Sequence, residues 1–531
     1  MEDQHHFLGI DLGTTNSVVS WGRFVRRMNM FQPEVIAVEF IGKGKKAERE
    51  DLLPSVIFFE EGMTPVVGEY ARSDAFGKQP QLVVKSIKSR MGSGEMVQVG
   101  KREFPPAYIS SLILNQLRAA TKDKFGVEET DVIITVPASF DADMRADTIR
   151  AAELAGFKTK NADGSPRDIL LDEPRAALHF LIYQQQIDEI PTSLINFSTP
   201  KTVLIFDLGG GTLDVSLHRV QADYDRMDIS VEDIAISRYT RIGGDNFDDL
   251  IAQFFQVDFE SKFKFKIDDI PEDYIRHSIR SQLLIEAEAK KREINDIFSQ
   301  GLKQKATFEM LRPRLFVKIF IPELFDDKPY SRMKFTWNEM QEIISPLMGN
   351  GLTMESVDCF DELGKEKSNN IIYPILDVLH KAKISYGQIP QIDAVFLNGG
   401  MTRFIPVRKR IEEFFGKEPI ALLDPDKSVA LGATLYHNAL HQGIRPKSVI
   451  LAESIGIEVN GNVVSRLVDA GTVLPMPRPK IVDGMIIPVG TSELTIPFYR
   501  GECYEPSFPN VKVLERIIKL PYTCRKPEPI T

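Results

Sequence analysis

One short pattern occurs twice in this chain, and it constrains the fold more than any other feature. Phe7-Leu8-Gly9-Ile10-Asp11-Leu12-Gly13-Thr14-Thr15 is matched by Leu204-Ile205-Phe206-Asp207-Leu208-Gly209-Gly210-Gly211-Thr212-Leu213-Asp214. Each is an apolar run ending in Asp-Leu-Gly, then a small-residue turn with threonine, then an alternating run. Apolar runs of this length bounded by glycine read as buried strands. The repeat predicts two similar halves, each bringing one carboxylate and one Gly/Thr turn to a shared cleft at a sheet edge. Glycine lets successive N–H groups turn toward phosphate oxygens. Threonine adds hydroxyl donors, and magnesium needs only one or two carboxylates beside phosphates. Either copy alone would read as an ordinary turn. Two copies in the same order predict a grip on a nucleoside triphosphate and its magnesium ion from both sides. There is no G-x-x-x-x-G-K-[ST] loop, no G-x-G-x-x-G opening a helix and no kinase catalytic loop. The cradle is therefore expected from facing hairpins.

Composition narrows the class. The 531 residues suffice for two to four domain-sized units, and 43% hydrophobic with 26% charged residues is ordinary globular content. A net charge of −10 argues against general affinity for nucleic acid or anionic membrane. The basic run at Lys43, Lys45 and Lys46 reads as a solvated loop, and Lys262–Lys266 as an amphipathic surface segment. Cys359, Cys503 and Cys524 have neither metal spacing nor a disulfide framework, which points to a reducing compartment. No leader segment or membrane-length apolar stretch is read, so a cytoplasmic protein is expected. His5 and His6 are expected on a disordered end.

Along the chain, Val132–Pro137 reads as a buried strand and Asp141–Ala155 as a helix closed by Gly156. Leu170–Pro174 reads as extended and Ala176–Tyr183 as helical. Charged helices are expected over 275–300, a strand over Ala394–Asn398 before Gly399-Gly400, and a helix from Ser428 to Leu440. The character changes near Gln442. Ile455–Val459, then Asn460-Gly461, then Val463 onward is a strong hairpin signal. The Pro-rich end, Arg525–Pro529, is expected to be loose.

These motifs, in this order, resemble the nucleotide-binding domain of the seventy-kilodalton heat-shock (DnaK-type) chaperones, from Phe7 to about His441. The resemblance implies an α/β actin-like ATPase fold of two duplicated lobes around a nucleotide cleft, followed by a small, incomplete β-sandwich-like domain. It divides the chain into an ATPase domain over 1–440 (lobes about 1–195 and 196–440), a linker over 441–453 and a β-rich, substrate-binding-like region over 454–531. By the same resemblance Asp11 and Asp207 would hold magnesium, largely through its waters. Thr14, Thr15, Gly209, Gly210, Gly211 and Thr212 would cradle phosphates, and Gly13 and Asn16 would also contact the nucleotide. Lys88 would reach the γ-phosphate and attacking water, and Glu173 and Asp214 would order that water. Gly399, Gly400, Met401 and Arg403 would lie at the purine, Glu288, Lys291, Arg292 and Asn295 on the adenosine helix, and Gly243, Gly244 and Asp426 would complete the base and ribose side. Pro137 and Arg145 match a pair that relays nucleotide state to the domain surface. The helix contacts have a plain alternative, since Glu286/Lys290 and Glu288/Arg292 stand at i,i+4 spacing for surface ion pairs.

The sequence also departs from the family pattern. Asn16 stands where tyrosine is usual, and Met401 and Asn295 replace serines of the base pocket. The linker stretch Arg445-Pro446-Lys447-Ser448-Val449-Ile450-Leu451-Ala452-Glu453 is more basic than expected. Thr472–Pro475 and Leu494–Glu502 resemble early strands of the β-domain, whose later strands and helical lid would need roughly another hundred residues. The resemblance implies ATP or ADP with Mg2+, and admits K+ as a companion ion. It implies a slow, chaperone-type ATP hydrolase, with J-domain and nucleotide-exchange partners and unfolded peptide as client. Two alternatives stand beside it: a nucleotide-gated interaction or regulatory module without peptide cycling, and, with less support, a small-molecule kinase on the same fold.

Overall fold

The two repeated segments close equivalent strands of two sheets that share one topology. In the computed structural model the first sheet contains β1 (Phe7–Asp11), β2 (Asn16–Val25), β3 (Met30–Val35), β4 (Ile133–Val136) and β5 (Leu170–Asp172). The second contains β6 (Lys201–Leu208), β7 (Leu213–Asp223), β8 (Asp228–Ile236), β9 (Ala394–Asn398) and β10 (Ile420–Ala421). Their orders are β3-β2-β1-β4-β5 and β8-β7-β6-β9-β10. In both, the first three strands pair antiparallel and the last two join in parallel. Leu53–Pro54 adds a sixth strand against β2. The structure describes all residues except 1–5, 26–29, 61–62, 225–227, 312–313, 365–366, 422–423, 444–448, 460–461, 475, 477–480, 482–483, 502–503, 507–509, 521 and 531.

The central strands are apolar on both faces because helices cover them. Leu8 and Ile10 face one core with Trp21, Ile134 and Ile113, while Leu204 and Phe206 face another with Phe247, Phe255 and Phe298. Five helices matter for the site: α1 (Ala142–Leu154), α2 (Glu173–Gln186), α3 (Gly244–Phe263), α4 (Asp273–Lys303) and α5 (Ser428–His441). Asp141 caps α1 by accepting from the Met144 amide at 2.9 Å. Helix α2 packs against both sheets. One side packs on Val203, Ile205 and Phe396 of the second sheet, and Ala176 packs with Ile133 and Val429. Helix α5 crosses α2 so closely that a Cβ at Gly432 would lie 1.8 Å from the Ala176 carbonyl oxygen. It also reaches the first sheet, where Ser20 Oγ donates to the Ala430 carbonyl at 2.7 Å.

After α5 the chain becomes β-rich. A four-stranded antiparallel sheet, β12-β11-β13-β14, is formed by β11 (Ile455–Val459), β12 (Val463–Val468), β13 (Glu493–Arg500) and β14 (Val511–Lys519). Val449–Ile450, in the stretch expected as a linker, pairs with Val473–Leu474. The mixed architecture is that of actin-like lobes followed by a β-sandwich-like region. No described helix is long and apolar enough to cross a membrane.

Three local expectations need correction. Helix α2 starts at Glu173, not at Ala176, because Pro174 suits a first helical turn, where its missing N–H costs nothing. His6 is not loose: its ring stacks on Phe125 at 4.0 Å and Nδ1 lies 2.6 Å from Glu129. The Pro-rich end is not free either, since Glu528–Ile530 pairs with Met485–Ile487; strand pairing uses backbone groups, which composition does not report. His5, residues 445–448 of the linker, the hairpin turn Asn460-Gly461, Pro475, Glu502 and Cys503 lie outside the described residues.

Candidate nucleotide site

A cavity of about 420 Å³ opens between the carboxyl ends of β1 and β6. Asp11 and Asp207 both line it, with Gly13, Thr14, Thr15 and Asn16 from one turn and Gly209, Gly210 and Thr212 from the other. The turns interlock across the cleft. A Cβ built on Gly210 would lie 1.5 Å from Thr15 Oγ1, and one on Gly211 would lie 2.6 Å from Thr14 Cγ2. A side chain at either position would have to displace the facing threonine. Gly211 and Gly243 do not line the cavity but stand behind it, a Cβ on Gly243 falling 2.4 Å from the Gly210 carbonyl carbon.

Below the turns four carboxylates converge on one lysine. Asp11, Asp207, Glu173 and Asp214 line the same cavity as Lys88, whose ammonium donates to Glu173 Oε1. Lys88 and Glu173 are both buried. Burial works against the Lys88 charge, but the Glu173 and Asp11 carboxylates outweigh it and hold its pKa above the ordinary lysine value. Burial, with Glu173 adding repulsion, pushes Asp11 and Asp214 each up to about 7 and Asp207 well above the usual range. Asp214 Oδ2 accepts from the Ala138 amide at 2.8 Å.

Four carboxyl groups thus gather around Lys88, and burial raises three of them, so added positive charge here would favour their ionised forms. Thr15 Oγ1 is also buried without a hydrogen-bond partner among the described residues. Such a donor set suits a hard cation that brings its own waters and phosphate oxygens. It does not suit a protein-only metal cage, and among the described residues no group of three or more His, Cys, Asp or Glu is arranged to form one.

The other end of the cavity is lined by Gly244, Glu288, Lys291, Arg292, Asn295, Gly399, Gly400, Met401, Arg403 and Asp426. The turn after β9 needs a left-handed residue, supplied by Gly399 at φ +80°. Arg403 pairs with Asp426 at 3.0 Å. Lys291 pairs with Asp248 at 2.8 Å, and its ammonium lies 3.6 Å from Met401 Sδ. Burial raises Asp248 to about 6 despite that lysine. Asn295 serves the loop backbone: its side chain accepts from the Ile405 amide at 2.9 Å and donates to the Arg403 carbonyl at 3.2 Å. Both i,i+4 pairs on α4 form as well, Glu288–Arg292 at 2.6 Å and Glu286–Lys290 at 3.6 Å. Ion pairing and a place at the cavity therefore coexist on this helix.

Several cavity residues escaped the sequence reading. Asn398 lies opposite Asp207 in the parallel register, and its Nδ2 donates to Asp207 Oδ2 at 2.5 Å. Its position just before Gly399-Gly400, at the end of an apolar strand, was the available signal. Asp248, Arg72, Ser86 and Asp245 also line the cleft. Ser86 Oγ donates to Asp245 across it, at a residue with φ +51°. Nothing local marks these four, because their neighbours come from distant parts of the chain. Pro137 and Arg145 sit outside the cavity, where Arg145 Nη2 donates to Asp172 at 2.5 Å.

Comparison with known proteins agrees with this layout. The family model described as "Hsp70 protein" matches residues 7–309 and 352–506. The chain is 29% identical over 511 residues to the chaperone protein DnaK of Thermotoga neapolitana, covering 94% of this chain and 71% of that protein. The DnaK of Thermotoga maritima gives the same values. That of Thermosipho melanesiensis is 27% identical over 505 residues, covering 94% of this chain and 71% of its own length. The duplicated sheets, the acidic cleft between them and the matched span together make this chain a member of the Hsp70 family.

Proposed function

We propose that the chain binds Mg·ATP between its two lobes and hydrolyses it slowly, and that the state of the cleft governs what its β-rich region holds. This is a chaperone-type ATPase. The observation that carries the reading is the convergence of Asp11 and Asp207, from equivalent strands, on the cavity that also holds Lys88 and Glu173. The name printed for the relatives, chaperone protein DnaK, supports it.

In this reading Asp11 and Asp207 would hold the ion, and the two Gly/Thr turns would bind the phosphates. Magnesium, when bound, neutralises charge on the transferring phosphoryl group. Lys88 supplies the protein's own positive charge beside the terminal phosphate. Glu173, fixed by Lys88, and Asp214, fixed by the Ala138 amide, orient the attacking water. Phosphoryl transfer needs positioning and charge more than a strong base, which suits such a set. Gly400, Met401, Arg403, Glu288 and Arg292 take the adenosine. Met401 offers a thioether to the purine face, which adapts readily in shape.

Two contacts tie the two-lobed part of the chain to the β-region. Arg500 on β13 donates to Asp141 Oδ2 at 2.6 Å, at the cap of α1, which carries Arg145. Lys381 donates to the Ala452 carbonyl at 3.0 Å and pairs with Asp377. J-domain and nucleotide-exchange partners, peptide clients and a cytoplasmic setting belong to the same proposal. The test is calorimetric titration with ATP and magnesium, followed by single-turnover hydrolysis. Absence of magnesium-dependent binding would sink the reading.

A second reading, a nucleotide-gated interaction module without peptide cycling, is favoured by one observation. Val449–Ile450 is committed to pairing with Val473–Leu474, so this linker segment has a fixed local partner. An extended hydrophobic peptide decides between them. Acceleration of hydrolysis supports the chaperone cycle; an unchanged rate with normal ATP binding supports the module.

A further inference from the structure

Three charged residues at the junction of β5 and α2 are tied to three different parts of the molecule. Asp172 accepts from Arg145 Nη2 of α1 at 2.5 Å. Glu173 accepts from Lys88. Arg175 Nη2 donates to Asp233 Oδ2 on β8 at 2.7 Å, with side chains only 4% and 1% exposed. The junction thus leaves the first sheet at Asp172 and is anchored to the second sheet three residues later.

The anchor continues inside the second sheet. His218 Nδ1 lies 3.0 Å from Asp233 Oδ1, and His218 Nε2 lies 2.8 Å from Ser216 Oγ. The Asp233 carboxyl is pulled down to about 2: burial opposes its charge, but His218 and Arg175 outweigh that. With Asp233 ionised, His218 Nδ1 donates to it, and Nε2 is within hydrogen-bond distance of the Ser216 hydroxyl. Ser216 and His218 follow Asp214 at two-residue spacing on β7, so all three share one face of the strand. The network therefore starts two residues from Glu173 and ends two residues from Asp214. Those two carboxylates line the same cavity.

A buried ion pair of this kind adds little stability over an apolar pair of equal size, and its best use is to specify one geometry. Here one geometry is needed, because a water held between Glu173 and Asp214 reacts in line only if their spacing is kept. We propose that Arg175 is a positioning residue: through Asp233, His218 and Ser216 it fixes the start of α2 against β7 and so sets the spacing of Glu173 and Asp214 around the attacking water. This rests on the reading of the cleft as an ATP hydrolysis site.

The test uses the full chain. The double variant Arg175→Met/Asp233→Asn removes both charges of the buried pair, and the new amide oxygen at position 233 still accepts from His218. It is expected to melt near the parent temperature and to bind ATP within about twofold of the parent, while hydrolysing bound ATP about tenfold more slowly in single turnover. Arg175→Lys keeps the charge without the planar donor geometry. It is expected to give an intermediate kcat with an unchanged KM for ATP, and it answers the question even if the double variant fails to fold. A parent-level rate in either variant overturns the proposal. So does a loss of ATP affinity that equals the loss of rate, which would mark a general structural role. A parent chain without magnesium-dependent hydrolysis overturns the site reading and this inference with it. A parent that hydrolyses ATP beside variants that match it overturns this inference alone.

Discussion

Thr135 and Asn398 hold equivalent places in the two sheets, each directly across a parallel strand pair from a cleft carboxylate. Thr135 Oγ1 donates to Asp11 Oδ1 at 3.2 Å, and Asn398 Nδ2 donates to Asp207 Oδ2 at 2.5 Å. Asn398 is itself held, because Ser428 Oγ donates to its Oδ1 at 2.8 Å. The duplication thus reaches past the carboxylates to the groups that aim them, and the second-lobe carboxylate is the more firmly aimed.

Asp207→Asn should therefore lose magnesium-dependent hydrolysis by about 10²–10³-fold, as for a lost preorganised charge contact. ATP binding measured without magnesium should change little. Single-turnover rates across a magnesium titration check both halves. A variant that keeps its magnesium response would remove Asp207 from the ion site.

Lys88→Ala leaves Glu173 buried without its cation. Breaking a buried pair from one side costs about 3–5 kcal/mol of stability. Thermal melting of the nucleotide-free protein should fall accordingly. The variant should still bind ATP yet hydrolyse it poorly, and a normal turnover rate would refute the role given to Lys88.

The cleft carboxylates set a pH dependence. Asp11 and Asp214 stand near 7 in the folded chain, raised by burial from 3.8. A raised carboxyl value means the folded state binds protons that the unfolded state has released. Stability of the nucleotide-free protein from these groups therefore falls as pH rises from about 4 to about 7, then levels off. Mg·ATP favours the ionised carboxylates, so binding near pH 7 should release protons. Calorimetry in buffers of different ionisation enthalpy measures that release. Proton uptake would contradict the assignment.

Gly210→Ala places a methyl against Thr15, 1.5 Å from its hydroxyl oxygen if nothing moves. The Thr15 side chain must give way or the two turns must separate, and either change should weaken ATP binding. Gly210→Ala/Thr15→Ser should not restore it, because the oxygen remains; Gly210→Ala/Thr15→Ala should restore part. Equal affinity of Gly210→Ala and parent would mean the turns do not close on each other around the nucleotide.

Arg500→Ala removes the contact between β13 and the cap of α1. Hydrogen exchange should rise in 142–154 and 493–500 together, with ATP affinity nearly unchanged. Exchange confined to 493–500 would show that Arg500 steadies its own strand alone.

Much of this site was legible in the sequence because its parts are local. A strand ending in Asp-Leu-Gly and a Gly/Thr turn carry their geometry within ten residues, and their repetition predicted two facing sheets. The family resemblance pointed to Lys88, Glu173, Glu288, Lys291, Arg292, Asn295, Gly399, Gly400, Met401 and Arg403, which line the same cavity, and to Gly243, which stands behind it. What stayed hidden depends on contacts between distant segments. Asn398 was read as a strand end, yet its register opposite Asp207 makes it a donor to that carboxylate. Arg175 falls between the extended run and the helix expected from Ala176, and only the docking of α2 against β8 gives it Asp233. The start of α2, the seat of His6 and the pairing of 528–530 were likewise decided by packing. Short-range sterics and hydrophobic period write strands, turns and helices into the order of residues. Burial, ion pairing and pKa arise only when elements far apart in the chain exclude water between them.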